Sequence, residues 1–305
     1  MGQQITPGVL SGTRVAERKP LRLHEDAALF REAVSFTAAQ TQFSPRLIEK
    51  DYFCSVILQH SAVAAPDLVF RGGTCLSKVH LGFYRLSEDP DFLVPTPADA
   101  TRTERRRRAA QSKAAVANIE KQVPGLRVVT PLKGRNDSRQ YIGAIGYRSV
   151  VAERDESVKI EVGLREPLLS PPIKGYAKTL LLDPVSGSPA VPVFPVPCMS
   201  WDEAMAEKLR SALSRREVAI RDFYDVDHAV RRLGFRGEEP GIVQLVKQKL
   251  AVPGNEPVDV SADRLAELTP QVEAQLRPVL RDPDFADFDL DRAFAAVVKV
   301  AAAVL

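Results

Sequence analysis

A short apolar strand followed by a paired-glycine turn and a helix is the feature that most constrains this chain. The stretch Asp67 to Phe70 is typical of a strand, Gly72 and Gly73 predict a tight turn, and Thr74 begins a helical pattern. A glycine pair at the start of a helix exposes backbone N–H groups and leaves room for a phosphate to approach them. The sequence therefore predicts a mixed sheet with helices and a triphosphate cradle at this turn.

Two carboxylates follow this unit in a second strand-like stretch, Arg85 to Val94. Because alternate side chains of a strand share a face, Asp89 and Asp91 are expected to point the same way and to hold Mg²⁺ with the oxygens of a nucleotide. Glu161, in an alternating stretch, is the candidate for a third acid. Each feature alone is equally typical of a plain turn, a surface loop or a solvent-facing strand position; together, and in this order, they favour a metal and nucleotide site.

The sequence lacks the motifs of several other enzyme classes. It has no GxxxxGK[ST] P-loop, no GxGxxG after a strand, no HExxH and no GxSxG. The three cysteines have no CxxC spacing, so neither a disulfide framework nor a zinc cluster is expected. The acid cluster remains the best-supported reading of the chemistry.

Positive charge is concentrated in residues 101–140, which contain eleven Lys or Arg and three acids, whereas the whole chain has a net charge of +3. Four consecutive arginines, Arg105, Arg106, Arg107 and Arg108, surround a predicted helix. Such a segment is typical of a nucleic-acid contact, because neutralised phosphates release counterions. A solvated helix face is the alternative, and the pattern favours neither.

Composition divides the chain into three parts. Residues 1–22 are expected to form a flexible arm, residues 23–198 a lobe built on the mixed sheet, and residues 199–305 a helical lobe. The first lobe ends in a proline-rich segment, 167–197, which is expected to cross between the lobes as extended chain without a long helix or a central strand. No apolar run has the length of a membrane helix or the pattern of a secretory signal, so a cytoplasmic protein without a membrane partner is expected.

The helical lobe carries a second set of candidate residues. Lys208 lies on a helix with a clear apolar stripe, and Asp222 and Asp225 lie one helical turn apart on the next helix. A lysine directed at a cleft can bind phosphates, and either aspartate can orient the lysine or contact the base. An ordinary salt-bridged pair of helices is the alternative.

Five blocks of this sequence, taken in order, resemble the motifs of the AbiEii and MenT nucleotidyltransferase toxins. The blocks are Glu49–Tyr52, Val69–Val79, Arg85–Phe92, Lys159–Val162, and Glu207–Leu209 together with Arg221–Asp225. The resemblance implies an α+β fold, with a nucleotidyltransferase lobe related to DNA polymerase beta, a helical C-terminal lobe, and an active site in the cleft between them.

The resemblance also implies residue roles. The catalytic residues would be Asp89, Asp91, Lys208 and Asp222, and the metal ligands would be Asp89, Asp91 and Glu161. Nucleotide contacts would come from Gly72, Gly73, Thr74, Ser87, Lys208 and Asp225. The family's late acidic residue would match Asp222, or less surely Asp225. Two departures stand out. Thr74 replaces the serine of the wider superfamily's Gly-Ser pair, and Pro90 stands where an apolar residue is usual.

The function implied is that of the toxin of a toxin–antitoxin or phage-defence system. Such a toxin would use Mg²⁺ or Mn²⁺ to transfer nucleotides from an NTP to the 3′ end of tRNA, which blocks aminoacylation and translation, and a neighbouring gene would encode its antitoxin. Two alternatives stay open: transfer to a protein hydroxyl, and a catalytically silent RNA-binding module.

Overall fold

The computed structural model describes residues 22–305, so the predicted arm lies outside the described residues except for Arg22. After a 3₁₀ turn at Leu23–Glu25, two helices follow, α1 at Ala27–Thr41 and α2 at Pro45–Ala64. The carboxylate of Asp26 caps α1 by accepting hydrogen bonds from two backbone N–H groups. Ser44 caps α2 in the same way, with Pro45 in its first turn.

A seven-stranded mixed sheet forms the centre of the first lobe, in the order β3-β4-β5-β2-β1-β7-β6. The strands are β1 Val69–Arg71, β2 Asp91–Leu93, β3 Leu126–Arg135, β4 Gln140–Arg148, β5 Asp155–Gly163, β6 Ile173–Ala177 and β7 Phe194–Cys198. Strand β2 is antiparallel to β1 and parallel to β5, and β1 is parallel to β7. The predicted mixed sheet is confirmed.

Short helices connect and flank these strands. Helix α3, Gly72–Cys75, continues as a π-helical turn, Leu76–Leu81. The basic segment forms α4 Arg102–Arg108, α5 Ala110–Ala117 and α6 Ile119–Gln122, and α5 packs against α2 and β3. Helix α3 starts directly after Arg71, the last residue of β1, so the glycine turn lies at the carboxyl end of β1.

Helices make up the remainder of the chain, as predicted. They are α7 Trp201–Ser214, α8 Ile220–Leu233, α9 Pro240–Leu250, α10 Ala262–Gln271, α11 Asp282–Ala286 and α12 Leu290–Val304. Helix α7 begins at Ser200, whose hydroxyl accepts from the Glu203 N–H, and its stripe of Met205, Leu209 and Leu213 is buried. Within residues 22–305 we find no helix with the length and apolarity that crossing a bilayer requires.

Two apolar cores meet at the central strands. Phe70 and Phe92 belong to the core shared with α1 and α2, whereas Val69 and Leu93 belong to the core formed with α7, α8, α9 and α12. Because neighbouring residues of a strand point to opposite faces, β1 and β2 are buried on both sides. This double burial fixes Arg71, the last residue of β1, and Asp91, the first residue of β2, at the edge of the sheet that faces the helical lobe.

The prediction that the proline-rich segment contains no central strand is wrong. This segment supplies β6 and β7, and β7 lies between β1 and β6. Pro195 and Pro197 alternate along β7, so both missing N–H groups fall on one edge of the strand. The pairing reflects this, since β7 pairs with β6 over five residues but with β1 only at Phe70 and Cys198.

Candidate active site

A cavity of about 480 Å³ opens between the sheet and helices α7 and α8. It brings together most of the residues that the sequence singles out: Gly72, Gly73, Ser87, Asp89, Asp91, Glu161, Lys208 and Asp222. Thr74, Asp225 and the four arginines of α4 do not line it. Its other lining residues are Arg71, Glu88, Lys159, Arg165, Met199, Ala204, Glu207, Arg210, Ser211, Arg215 and Arg221.

The side of the cavity formed by the sheet is acidic, and we call Asp89, Asp91 and Glu161 the sheet wall. Asp91 begins β2 and is the register partner of Glu161 on β5 and of Arg71 on β1. Register partners on neighbouring strands point to the same face. Burial and the charge of Glu161 raise the pKa of Asp91 to about 7, although Arg71 opposes the shift. The sheet wall therefore holds crowded negative charge.

Asp89 reaches the sheet wall from a loop, which corrects the prediction that residues 85–94 form one long strand. Strand β2 starts only at Asp91. The Asp89 Oδ1 atom accepts a hydrogen bond of 3.0 Å from the backbone N–H of Lys159 on β5, and Lys50 Nζ lies 3.9 Å from the same atom. The charge of Asp89 also contributes to the raised pKa of Asp91. A side-chain hydrogen bond, rather than strand alternation, positions this carboxylate.

The two glycines allow charged side chains to approach the backbone. Gly72 has a φ of +75°, and a Cβ there would lie 2.8 Å from Asp91 Oδ2. A Cβ on Gly73 would collide with the guanidinium of Arg85. Any larger residue would displace one of these groups, so the turn is required for the packing of the site as well as for the phosphate contact that the sequence predicts.

Thr74 lies beneath the cavity, where it fixes the loop that carries Asp89. Its side chain is buried, and its hydroxyl oxygen lies 2.8 Å from Ser87 Oγ and 2.5 Å from the carbonyl oxygen of Asp89. These contacts occupy the hydroxyl that the resemblance assigns to phosphate binding. Ser87, by contrast, lines the cavity.

The opposite side of the cavity is basic, and we call Lys208, Arg210, Arg215 and Arg221 the helical wall. Lys208 Nζ lies 2.8 Å from Asp222 Oδ1 and 2.9 Å from Asp225 Oδ2. Burial and the positive charge of Arg85 lower the pKa of Arg221. Burial and the neighbouring Arg210 likewise lower the pKa of Arg165 beside this wall. Positive charge is therefore crowded around Arg221 and Arg165, whereas Lys208, Arg210 and Arg215 have carboxylate partners.

Asp222 and Asp225 differ in their surroundings. Asp225 is fully buried and accepts hydrogen bonds of 2.6 Å from Tyr84 Oη and from Arg85 Nε. Although burial favours its protonated form, Arg85 and Lys208 hold the pKa of Asp225 well below its usual range. Asp222 lines the cavity and also contacts Arg215. The structure places Asp222 at the site and Asp225 in its supporting packing.

An ion pair that the sequence analysis missed crosses the cleft. Arg71, at the end of β1, lies 2.8 Å from Glu207 on α7. Burial alone would raise the pKa of Glu207, but Arg71, Lys249 and Arg210 lower it to about 2. Glu207 was part of a recognised block, but its partner lies 136 positions away, a pairing that local sequence patterns do not reveal. This pair ties the helical lobe to the sheet.

The four arginines of α4 are not equivalent. Arg105 is buried and donates hydrogen bonds to the carbonyl oxygens of Leu164 and Ala98. Arg108 pairs with Glu104 at 2.8 Å, and Arg106 and Arg107 are exposed. Arg105 is therefore inaccessible to RNA, which corrects its inclusion among the candidate contacts.

Sequence comparison identifies the family. No curated protein sequence matches significantly, but the family described as nucleotidyl transferase AbiEii toxin, type IV toxin–antitoxin system, matches residues 56–300. The chain belongs to the AbiEii family. Family membership makes it a nucleotidyltransferase toxin and implies a nucleotide substrate and an antitoxin partner.

Two solved structures share the fold of this AbiEii chain at low identity. MenT4, a nucleotidyltransferase toxin from Mycobacterium tuberculosis, is 19% identical with a TM-score of 0.54, and the match covers 90% of this chain and 97% of MenT4. JHP933 from Helicobacter pylori is 15% identical with a TM-score of 0.51, over 86% and 93% of the two chains. Both likenesses support the α+β architecture.

Proposed function

We propose that this toxin transfers nucleotides from an NTP to the 3′ end of tRNA in a Mg²⁺-dependent reaction, which blocks aminoacylation and translation in the cytoplasm until the antitoxin counteracts it. A role in phage defence follows from the same activity, because arrested translation halts phage production. Asp89, Asp91, Lys208 and Asp222 are its catalytic residues.

The opposition of the two walls is the observation that carries this proposal. The sheet contributes three carboxylates and the helices four cations to a single cavity, which is also lined by Arg71 and Lys159 from the sheet and by Glu207 and Asp222 from the helices. A cation bound to a triphosphate has the complementary arrangement, since its metal carries positive charge and its phosphates negative charge. A site that satisfies both walls at once is therefore suited to a metal–NTP complex.

The donor set of the sheet wall fits a hard divalent cation. Asp89, Asp91 and Glu161 offer carboxylate oxygens, the ligands that Mg²⁺ and Mn²⁺ prefer. Burial and Glu161 raise the pKa of Asp91 even though Arg71 and Lys159 oppose the shift, so a bound cation would stabilise the ionised carboxylate. When bound, the metal would neutralise negative charge on the phosphates.

The residues of this chain would then bind and orient the reactants. The helical wall and the N–H groups of the Gly72–Gly73 turn would hold the triphosphate, with Ser87 beside them. Asp222 keeps Lys208 directed into the cavity through their 2.8 Å contact. The acceptor hydroxyl would attack the α-phosphorus in line, a new phosphate ester would form, and pyrophosphate would leave. No covalent bond to the protein is required.

A second cavity offers a route for the acceptor strand. It has a volume of about 360 Å³ and shares Arg71, Glu161, Arg165 and Arg210 with the first. Arg139 extends it toward the β3–β4 turn, where Arg102 of α4 lies 3.7 Å from Asp137. This run of arginines, with Arg106 and Arg107 exposed nearby on α4, suits the phosphates of a single-stranded RNA end.

The test is label transfer from each α-³²P-labelled NTP in turn. Purified protein is incubated with Mg²⁺, with and without total tRNA, and with tRNA whose 3′-terminal diol has been oxidised by periodate. Asp91→Asn is the inactive variant, and Asp155→Asn, an exposed position on the same strand as Glu161, is the matched control.

We expect label on intact tRNA but not on oxidised tRNA, with wild type and Asp155→Asn and not with Asp91→Asn. Label on protein instead would support transfer to a protein hydroxyl. Binding of tRNA with no transfer of any nucleotide would support the silent module. Either result would overturn the proposal.

A further inference from the structure

A cluster of soft donor atoms lies outside the acidic site. The sulfurs of Cys75 and Cys198 and a ring nitrogen of His80 lie within 4.8 Å of one another. Both cysteines are fully buried, and His80 is half-buried. The spacing of the cysteines predicted no metal cluster, and the fold brings these three residues together.

The backbone explains how the three residues meet. Cys75 precedes the π-helical turn that contains His80, and in a π-helical turn residues five apart lie one above the other. Cys198, at the end of β7, is the register partner of Phe70 on β1, the strand that leads into α3. Two segments distant in sequence therefore contribute donors to one point.

Glycine makes room for the sulfur on the neighbouring strand. A Cβ on Gly175 of β6 would lie 2.5 Å from Cys198 Sγ and 2.7 Å from Val79 Cγ1. Any larger residue would push β6 away from the cluster. The site is therefore closed on the β6 side, and the half-buried His80 is its exposed edge.

A hydrogen bond of His80 leaves one of its ring nitrogens free to bind a metal. Its Nε2 atom lies 3.1 Å from the carbonyl oxygen of Met199, and a carbonyl can only accept a hydrogen bond, so Nε2 carries the proton. The lone pair is then on Nδ1. A ligating histidine typically donates its other N–H to a backbone carbonyl in this way, which fixes the ring and its tautomer.

We propose that Cys75, Cys198 and His80 bind one thiophilic cation, with Zn²⁺ as the best match. Two thiolates would neutralise the charge of Zn²⁺, and Zn–S bonds of about 2.3 Å place tetrahedral ligand atoms roughly 3.8 Å apart. Cu⁺ shares this preference for sulfur and nitrogen. The cation would join β7 to the helix that starts at the glycine turn, and so hold that turn in place.

This proposal is independent of nucleotidyl transfer, and its test measures binding alone. The reduced full-length chain is stripped with a chelator and titrated with Co²⁺, whose bonds to thiolates give a charge-transfer absorption, and Zn²⁺ is then added to displace it. Cys54→Ser is the matched control, because Cys54 is also buried but its sulfur contacts the Glu88 carbonyl oxygen at 2.9 Å. A parallel titration with Cu⁺ distinguishes the two cations.

We expect one equivalent of Co²⁺, displaced by Zn²⁺, in wild type and Cys54→Ser, and no charge-transfer band in Cys75→Ser or Cys198→Ser. His80→Gln alters only the half-buried ligand and should weaken Zn²⁺ binding at least tenfold while the chain stays folded. One equivalent of Cu⁺ without Zn²⁺ would support the site with the other cation.

Two results would overturn the proposal. One is metal binding that is undiminished in Cys75→Ser and Cys198→Ser. The other is a reduced wild-type chain that binds neither Zn²⁺ nor Cu⁺. If such a chain then forms a disulfide between Cys75 and Cys198 in air, its thiol count falls from three to one, and the pair has a redox role instead.

Discussion

The sheet wall and the helical wall of the cavity differ in the sign of the charge that shifts the pKa values of their residues. On the sheet wall, burial and Glu161 raise the pKa of Asp91 to about 7, which reports excess negative charge. On the helical wall, burial and Arg85 lower the pKa of Arg221. Asp91 and Arg221 both line the same cavity.

This difference separates the residues that pack the site from those that are available to bind a ligand. Asp225 and Arg85 form a buried ion pair within the packing, and Arg71 and Glu207 form one across the cleft. Asp91 and Arg221, by contrast, face the cavity with pKa values shifted by burial and by charge of their own sign. Perturbed pKa values that stay unrelieved in a cavity are typical of functional sites.

Removing a carboxylate from the sheet wall should have the largest effect on activity. Asp91→Asn keeps the shape of the side chain but removes a metal ligand, and we expect kcat/KM for nucleotide transfer to fall ~10³-fold, about 4 kcal/mol. Because the charge repulsion with Glu161 is relieved, Tm should not decrease. Transfer assays and thermal unfolding, with Asp155→Asn as the control, check both. Full activity in Asp91→Asn would contradict the role of the sheet wall.

Asp225 should be far more important for stability than Asp222. Asp225→Asn leaves Arg85 buried without its partner charge, and we expect the free energy of unfolding to fall by about 3–5 kcal/mol. Asp222→Asn should cost less stability and reduce transfer more per folded molecule. Urea unfolding of the two variants measures the difference. Equal destabilisation by the two substitutions would contradict the assignment of Asp225 to the packing and of Asp222 to the active site.

Arg221→Gln tests the helical wall. A charge-assisted hydrogen bond to a phosphate contributes about 1.5–3 kcal/mol, so KM for the NTP should rise ~10–100-fold. Stability should not fall, because a repelled cation is removed. Arg232→Gln, at the exposed far end of α8, is the control. A KM that stays at the wild-type value would show that Arg221 does not contact the nucleotide.

The ion pair across the cleft predicts a pH dependence of stability. Because the pKa of Glu207 is lowered to about 2, its stabilisation is present above its unfolded pKa near 4.3 and is lost as the pH falls toward 2. The expected contribution is about 1–3 kcal/mol. Between pH 4.5 and 2, the free energy of unfolding should fall more steeply in wild type than in Glu207→Gln. Parallel slopes in urea titrations would exclude this contribution.

The sequence predicts the site best where chemistry lies in a local motif. The glycine turn and the positions of Asp91 and Glu161 on strands were predicted correctly, whereas Asp89 lies in a loop and not on the predicted strand. The fold class followed from periodicity and from the resemblance to the AbiEii and MenT toxins. The helical character of the C-terminal part was also predicted, most clearly for the helix that carries Lys208, which has an apolar stripe.

Long-range packing decided what the sequence did not predict. Arg105 belongs to a basic run, but its side chain donates a hydrogen bond to the carbonyl oxygen of Leu164. The charge pattern alone therefore gave a wrong prediction of RNA contact for this residue. Pro195 and Pro197 argued against an internal strand, yet their alternation restricts the defect to one edge of β7. Cys75 and Cys198 meet only because β7 lies beside β1.

The most direct test of the opposed walls is Mn²⁺ binding, followed by electron paramagnetic resonance, with and without a non-hydrolysable NTP analogue. We expect the analogue to strengthen Mn²⁺ binding at least tenfold in wild type. We also expect Asp91→Asn to abolish Mn²⁺ binding and Arg221→Gln to weaken the gain from the analogue. Mn²⁺ binding that is the same in wild type and Asp91→Asn, or unaffected by the analogue, would contradict it.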